Sequence, residues 1–251
     1  MLADDPYSGL AQSYDLFFKD SPGPDPAAVE FYRQLFAQHG VRSVLDCACG
    51  TGRELILFRQ LGLEVVGSDL SDSMLAQAHR NLAAAGVDVP LHKADYRELP
   101  RHFERRFDAV ACLSTSIGHV PDEANALLAF QSMRAVLREG GILILTQGTT
   151  DRQWQEKPRF ILAVSDHDFS RLFVIDYLSE RRARYNVLDI VHTAERQEMS
   201  NWGTDYLILL RDDQERLLQA AGFADVAFYG SYAFAPYDKE TSQRLIAIAR
   251  T

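Results

Sequence analysis

Asp46, Ala48, Cys49, Gly50 and Gly52 lie between a short apolar run, Val44-Leu45, and a helical pattern that opens at about Arg53. Gly50 and Gly52 permit backbone angles that a side chain forbids, and they leave no Cβ between the peptide and a bound molecule. The helix start behind them presents N–H groups without intrahelical partners. Such a strand–loop–helix unit lets a ligand approach the main chain. Leu63 to Ser68 reads as the next strand and ends in a second acid, Asp69. In βαβ units that bind nucleosides, an acid there accepts hydrogen bonds from both ribose hydroxyls.

Two further strand ends carry candidates. Asp95-Tyr96 closes a third strand, where an acid can accept from an adenine amino group while the ring or a nearby apolar side chain packs on the base. The polar loop Ser114 to His119 follows a fourth strand. An unperturbed imidazole titrates near pH 6.5, so His119 is a candidate base. Tyr14 stands in a turn-rich leader with Tyr7, Phe17 and Phe18, a segment expected to fold over something. Its hydroxyl is placed to orient an amine, or its ring to face a cation.

The elements that position these residues alternate. Asp25-Pro26 has the form of an N-cap followed by proline at the first helical position, ahead of the stripe Val29, Phe31, Tyr32, Leu35 and Phe36. Strands are expected at 43–46, 63–69, 87–94, 107–113 and 142–146. Helices are expected from Arg53, from a Ser71-Asp72 cap, and from Pro121-Asp122-Glu123 through Leu137. Helices then disappear between about Gly148 and Arg211. Strands at 173–178, 184–191 and 205–210 predict an antiparallel sheet inserted into, or capping, a parallel one. A helix capped by Asp212 and Asp213 and two strands, 223–229 and 245–249, complete the chain. The divisions are 1–147, a cofactor-binding core with an N-terminal lid; 148–211, the β insertion; and 212–251, the completion of the core.

The third-glycine position of a dinucleotide fingerprint is Leu55, and the Asp46-x-Ala48-x-Gly50-x-Gly52 pattern resembles that of S-adenosylmethionine-dependent methyltransferases, with Ala48 in place of the usual first glycine. Together with Gln38-His39-Gly40, Asp69-x-Ser71-Asp72-x-Met74-Leu75, Cys112-Leu113…Ser116…His119-x-Pro121-Asp122 and Gly140 to Leu143, the chain is similar to class I enzymes of the glycine N-methyltransferase and amino-sugar N-methyltransferase group. The resemblance implies an α/β, Rossmann-like seven-stranded sheet with the last strand antiparallel and an antiparallel cap after the fifth. It implies that Asp46 and the turn through Ala48, Cys49, Gly50 and Gly52 hold the methionyl part of the cofactor. Asp69 would take the ribose, Leu70 and Met74 the adenosine, Asp95 and Tyr96 the adenine. The Leu113 backbone would face the cofactor's amino group, with Tyr14 and His119 nearest the methyl. The glycine enzymes place an arginine just past the fifth strand. Here the stretch is Thr146 to Asp151 with no cation until Arg152, which puts glycine itself in doubt.

Composition narrows the function. The 251 residues are 47% hydrophobic and 24% charged, enough for a sizeable core. The net charge of -9 argues against a nucleic-acid binder, which needs a basic stripe, but suits a cationic or amine substrate. Cys47, Cys49 and Cys112 form no disulfide framework, and no His/Cys pair shows metal-site spacing, so no metal is expected. No stretch has membrane-spanning length and no signal peptide is visible, so a cytoplasmic protein without membrane partners is expected. The expected activity is methyl transfer to an amine of a small metabolite. Transfer to a hydroxyl and a non-catalytic cofactor sensor are the alternatives, and a homodimer is compatible with all three.

Overall fold

The computed structural model describes Tyr7, Ala11, Tyr14, Asp15 and residues 25–251. Phe17 and Phe18 of the expected lid lie outside the described residues. The elements run α1 (Pro26–Gln38), β1 (Ser43–Asp46), α2 (Arg53–Gln60), β2 (Glu64–Asp69), α3 (Asp72–Ala84), β3 (Leu91–Lys93), β4 (Phe107–Cys112), α4 (Glu123–Ala135) and β5 (Leu137–Gln147). They continue with α5 (Asp151–Glu156), β6 (Phe160–Ser165), β7 (Phe169–Ser179), β8 (Arg182–His192), β9 (Gln197–Leu207), α6 (Arg211–Ala220), β10 (Asp225–Tyr229) and β11 (Leu245–Arg250).

One seven-stranded sheet has the order β10-β11-β5-β4-β1-β2-β3. All its pairings are parallel except those of β11, which runs antiparallel to both neighbours. The last strand is therefore antiparallel, as expected. The chain order reverses on either side of β1, which opens a crevice at the carboxyl ends of β1 and β4. Both faces of the sheet are covered. Phe31 and Leu35 of α1, Leu55 and Phe58 of α2 and Leu82 of α3 pack on one side. Phe130 and Met133 of α4 and Leu217 and Leu218 of α6 pack on the other. This double burial explains why β1 and β4 read as apolar runs rather than alternating patterns.

Local signals set the helix starts. The Asp25 carboxylate accepts from Ala27 N at 2.9 Å, and the Ser71 hydroxyl accepts from Met74 N at 3.1 Å. Between β5 and α6 the chain builds a second sheet, order β6-β7-β8-β9, antiparallel throughout. A buried amide network joins the insertion's two ends: Gln147 Nε2 donates to Thr149 O at 2.6 Å and to Leu209 O at 3.0 Å, and Gln214 Nε2 donates to Gln147 Oε1 at 2.8 Å. At the β7–β8 hairpin, Arg181 pairs with Glu123 and, at 3.1 Å, with Asp213, so this arginine fastens the sheet to α4 and α6.

Several expectations change. A short helix, α5, interrupts the stretch expected to lack helices, because Thr150 caps it through Gln153 N. The insertion has four strands, since Phe160–Ser165 pairs with β7. Leu137 belongs to β5 and not to the preceding helix; Arg138 to Gly141 are accommodated by a register shift between Phe107 and Ala109 on β4. The third strand shrinks to Leu91–Lys93. The N-cap of α6 is Leu210, without a side-chain bond; Asp212 and Asp213 lie in its first turn, where they face the positive helix end.

Candidate active site

Asp46 closes β1, and its Oδ1 accepts from Ala48 N at 3.2 Å. It is 1% exposed, and burial pushes its carboxyl well above the usual range, with Glu54 and Asp69 adding to the effect and the Ala48 N–H opposing it. The turn then crosses to β2: Cys49 N donates to Ser68 O at 3.0 Å, and Gly50 N donates to Asp69 Oδ2 at 2.8 Å. Asp69 Oδ1 accepts from Ser71 N at 2.9 Å. Both oxygens of Asp69 are thus aimed by main-chain donors.

Gly50 has a φ of +52°, and among the described residues no atom beyond its two chain neighbours lies within 4 Å of where its Cβ would stand. The main chain there borders open space, as a ligand approaching the backbone requires. Gly52, at φ +84°, is the N-cap of α2. Leu70 is 59% exposed beside Asp69, while Met74 is buried in the first turn of α3.

Asp95 turns toward Arg97, whose Nε lies 3.0 Å from both carboxylate oxygens and whose main-chain N donates to Oδ1 at 2.8 Å. Burial alone would raise this carboxyl, but the Arg97 bonds outweigh it and hold it below its usual range. The Tyr96 hydroxyl donates to Ser116 O at 3.2 Å, and Leu113 is buried. The structure therefore brings Asp46, Ala48, Cys49, Gly50, Gly52 and Asp69 into one bonded edge. Asp95 and Tyr96 stand one strand end further out, with their own partners.

Beside this edge lies a cavity of about 980 Å³. Tyr14 and His119 both line it, together with Tyr7, Tyr206, Trp202, Ser114 to Ser116 and, from the start of α2, Arg53 and Glu54. Arg53 and Glu54 follow Gly52 directly, so α2 joins the glycine turn to the cavity. Ser114 and Thr115 hold left-handed backbones, φ 55° and 68°. Thr146 fixes both: its Oγ1 accepts from Ser114 N at 2.9 Å and its carbonyl from Thr115 N at 2.8 Å. Such conformations cost on the order of 1–3 kcal/mol each and persist where the surroundings over-determine them.

His119 ends a single tight turn, Ser116–His119, against which β9 packs. A Cβ at Gly118 would stand 2.8 Å from Tyr206 Cδ1 and 3.1 Å from Leu207 O, so only glycine lets β9 come this close. The His119 ring lies 4.5 Å from that of Tyr206, and its Nε2 is hydrogen-bonded to the Tyr7 hydroxyl. Burial lowers the His119 pKa to about 4, so the imidazole is neutral at physiological pH. Burial first and Glu54 second push Tyr14 up to about 12, with Arg171 opposing them, so its hydroxyl stays protonated.

Several residues of this site escaped the sequence reading. Glu54 was hidden as one more acid in a helix start. Asp15 accepts from Thr51 Oγ1 at 2.7 Å and from Asn81 Nδ2 at 2.8 Å, which ties the leader to the glycine turn and to α3. Arg171 lines the cavity from β7 and is clamped by Asp189, Nε to Oδ1 and Nη2 to Oδ2 both 2.6 Å. The signal for Arg171 was its parity: it shares one face of β7 with Phe169, Phe173 and Ile175. The Arg181, Arg182 and Arg184 cluster serves the hairpin: Arg182 bonds Pro121 O, and Arg184 pairs with Asp205 at 3.1 Å.

Residues 44–141 match the family described as a methyltransferase domain. A glycine/sarcosine N-methyltransferase of Aphanothece halophytica is 30% identical over 207 residues, 81% of this chain and 74% of that protein. An S-adenosylmethionine-dependent methyltransferase from Clostridium acetobutylicum superposes with a TM-score of 0.80 at 18% identity, over 97% of this chain and 98% of the other. An amino pentose methyltransferase from Micromonospora echinaspora, solved with S-adenosylmethionine bound, superposes at 0.72 and 24% identity, over 96% and 97%. At these identities the two solved structures share the fold with this chain.

Proposed function

This chain belongs to the S-adenosylmethionine-dependent methyltransferases, and from that premise we propose that it methylates an amine of a small metabolite. S-adenosylmethionine supplies the methyl group on a positively charged sulfur, already a strong electrophile. The protein's task is then to hold the acceptor in line with that carbon and to keep water out.

The residues at the edge fit the cofactor. The open main chain at Gly50 and the carboxyl of Asp46 suit its methionyl part, and the aimed oxygens of Asp69 suit the ribose hydroxyls. Leu70 and Met74 would flank the adenosine, Asp95 and Tyr96 the adenine, and the Leu113 backbone the amino group. Leu70 is a large apolar side chain left 59% exposed beside Asp69, surface that an adenosine would cover. In this assignment residues 1–147 and 212–251 carry the cofactor, and residues 148–211 shape the acceptor end.

One observation carries the choice of an amine. The part of the cavity wall formed by Tyr7, Tyr14, His119 and Tyr206 presents neutral hydrogen-bonding groups, and the Glu54 carboxyl lines the same space. A neutral amine attacks a sulfonium unaided, whereas an alcohol gains much from a base. His119, with a pKa of about 4, is too weak a base to activate a hydroxyl. Glu54 supplies a field that draws a cationic amine inward, and the amine must release its proton to solvent before its lone pair can attack. Tyr14 and His119 then act by orientation, the first through its protonated hydroxyl and the second through its bond to Tyr7.

Among the described residues no helix is long and apolar enough to cross a membrane; a cytoplasmic location is part of the same proposal. The test is transfer of a labelled methyl group to a panel of small amines and alcohols. Transfer to amines is expected. Transfer to alcohols alone, or cofactor binding without turnover on the whole panel, would overturn the reading.

A further inference from the structure

Among the described residues four arginines line the acceptor cavity: Arg53, Arg152, Arg171 and Arg244. Three of them stand beside an acid. Arg152 Nε donates to Glu156 Oε1 at 2.8 Å, Arg171 is clamped by Asp189, and Arg53 lies in the field of Glu54, lowering its pKa. Arg244 differs. Its Cζ lies 4.1 Å from the centroid of the Tyr232 ring, and among the described residues no carboxylate comes within ion-pair distance of it.

The position is well defined. Arg244 is half-buried and immediately precedes β11, whose first residue, Leu245, pairs with Gln147 at the end of β5. It therefore sits at the carboxyl edge of the parallel strands, the edge where ligands bind in such sheets. Tyr232 holds the plane of the guanidinium without neutralising its charge. A planar fork of donors so held matches a carboxylate or a phosphate, with two parallel hydrogen bonds. In a chain of net charge -9, a cavity-lining cation with no carboxylate of the described residues in ion-pair distance can take up an anion from elsewhere.

We propose that Arg244 binds an oxyanion of the methyl acceptor, so that the substrate is an amine that also carries a carboxylate or phosphate group. The inference rests on the cavity being the acceptor site, as argued above. Charge then orients the substrate: its amine is drawn toward Glu54 and Tyr14, and its oxyanion is held by the guanidinium. Arg244 is in this sense a specificity residue that acts on binding and not on the transfer step.

The test uses the full chain loaded with S-adenosylhomocysteine, as wild type, Arg244→Gln and Arg244→Lys. Inorganic phosphate and acetate are titrated calorimetrically as probes. Binding of one or both to wild type, weakened about tenfold or more in Arg244→Gln and less in Arg244→Lys, is expected. Preference for phosphate points to a phosphorylated amine, preference for acetate to an amino acid-like one. Methyl transfer is then compared for β-alanine against β-alaninamide and for glucosamine 6-phosphate against glucosamine. The anionic member of the productive pair is expected to have a KM about 10- to 100-fold lower, and Arg244→Gln to erase that difference while leaving kcat in place. Equal anion affinity in wild type and Arg244→Gln, no anion binding at all, or neutral amines used as well as their anionic partners would overturn the oxyanion subsite. Retained S-adenosylhomocysteine affinity in the variants keeps that outcome separate from failure of the methyltransferase reading, which would show as no transfer to any amine.

Discussion

The hydroxyl of Tyr7 and Nε2 of His119, 112 residues apart in the chain, share a hydrogen bond at the wall of the acceptor cavity. The bond joins the leader to the loop after β4. It also engages one of the two imidazole nitrogens.

Neutral His119 should show in the pH dependence of stability. The unfolded imidazole binds a proton near pH 6.5, while the folded one does so only near 4. Between those values the unfolded chain holds more protons, so this contribution is complete above about pH 6.5 and is lost as pH falls toward 4, on the order of 3 kcal/mol in all. His119→Phe is expected to reduce the loss of urea midpoint between about pH 7.5 and pH 5. The acid limb of kcat/KM is expected to stay where it is in His119→Asn, because the acceptor amine sets it. Disappearance of a limb near pH 6.5 in that variant would make His119 the base after all.

Glu54 is pushed above the usual carboxyl range by burial, opposed by Arg53 and reinforced by Asp15. A raised carboxyl destabilises the folded state increasingly as pH rises through its folded pKa. Glu54→Gln is therefore expected to be more stable than wild type, by a margin that grows as pH rises above the ordinary carboxyl pKa of about 4.3. The same variant should lose affinity for S-adenosylmethionine roughly fivefold more than for uncharged S-adenosylhomocysteine. A calorimetric ratio unchanged by the substitution would show that Glu54 does not sense the sulfonium.

Arg171 and Asp189 form a buried pair with side chains 4% and 5% exposed. Asp189→Ala leaves a desolvated guanidinium on the cavity wall and should cost about 3–5 kcal/mol in guanidinium chloride denaturation. Arg171→Met with Asp189→Leu should recover most of that loss, since both charges are then gone. A single-variant cost below about 1 kcal/mol would mean that water reaches the pair.

Gly50 separates strain from ligand approach. Alanine at φ +52° should cost about 1–2 kcal/mol of stability, because among the described residues nothing crowds the new Cβ. The affinity for S-adenosylhomocysteine should fall by more than about tenfold, since the methyl enters the space left for the ligand. Equal small effects on both would move the cofactor away from the turn.

The bonded edge at the ends of β1 and β2 was legible as local structure because its signals are local. Glycines 50 and 52, the strand-end acids and the Ser71 cap each sit within a few residues of the element that they define. The doubly covered sheet was legible for the same reason, through apolar runs bounded by glycines. The cavity was not, since its walls meet only across long separations: Tyr7 with His119, His119 with Tyr206, Arg171 with Asp189. Strand β6 escaped because Phe160 and Leu162 are 62% and 65% exposed, which blurs the alternation expected of a half-buried strand. Helix α5 escaped because six residues give too little periodicity to read.

Strand β11 lies between β10 and β5, so Leu245–Arg250 fill an interior slot rather than an edge. Antiparallel to both neighbours, this one segment is all that joins β10 to the rest of the sheet. A substitution that unseats it would open a seam inside the layer instead of fraying its rim.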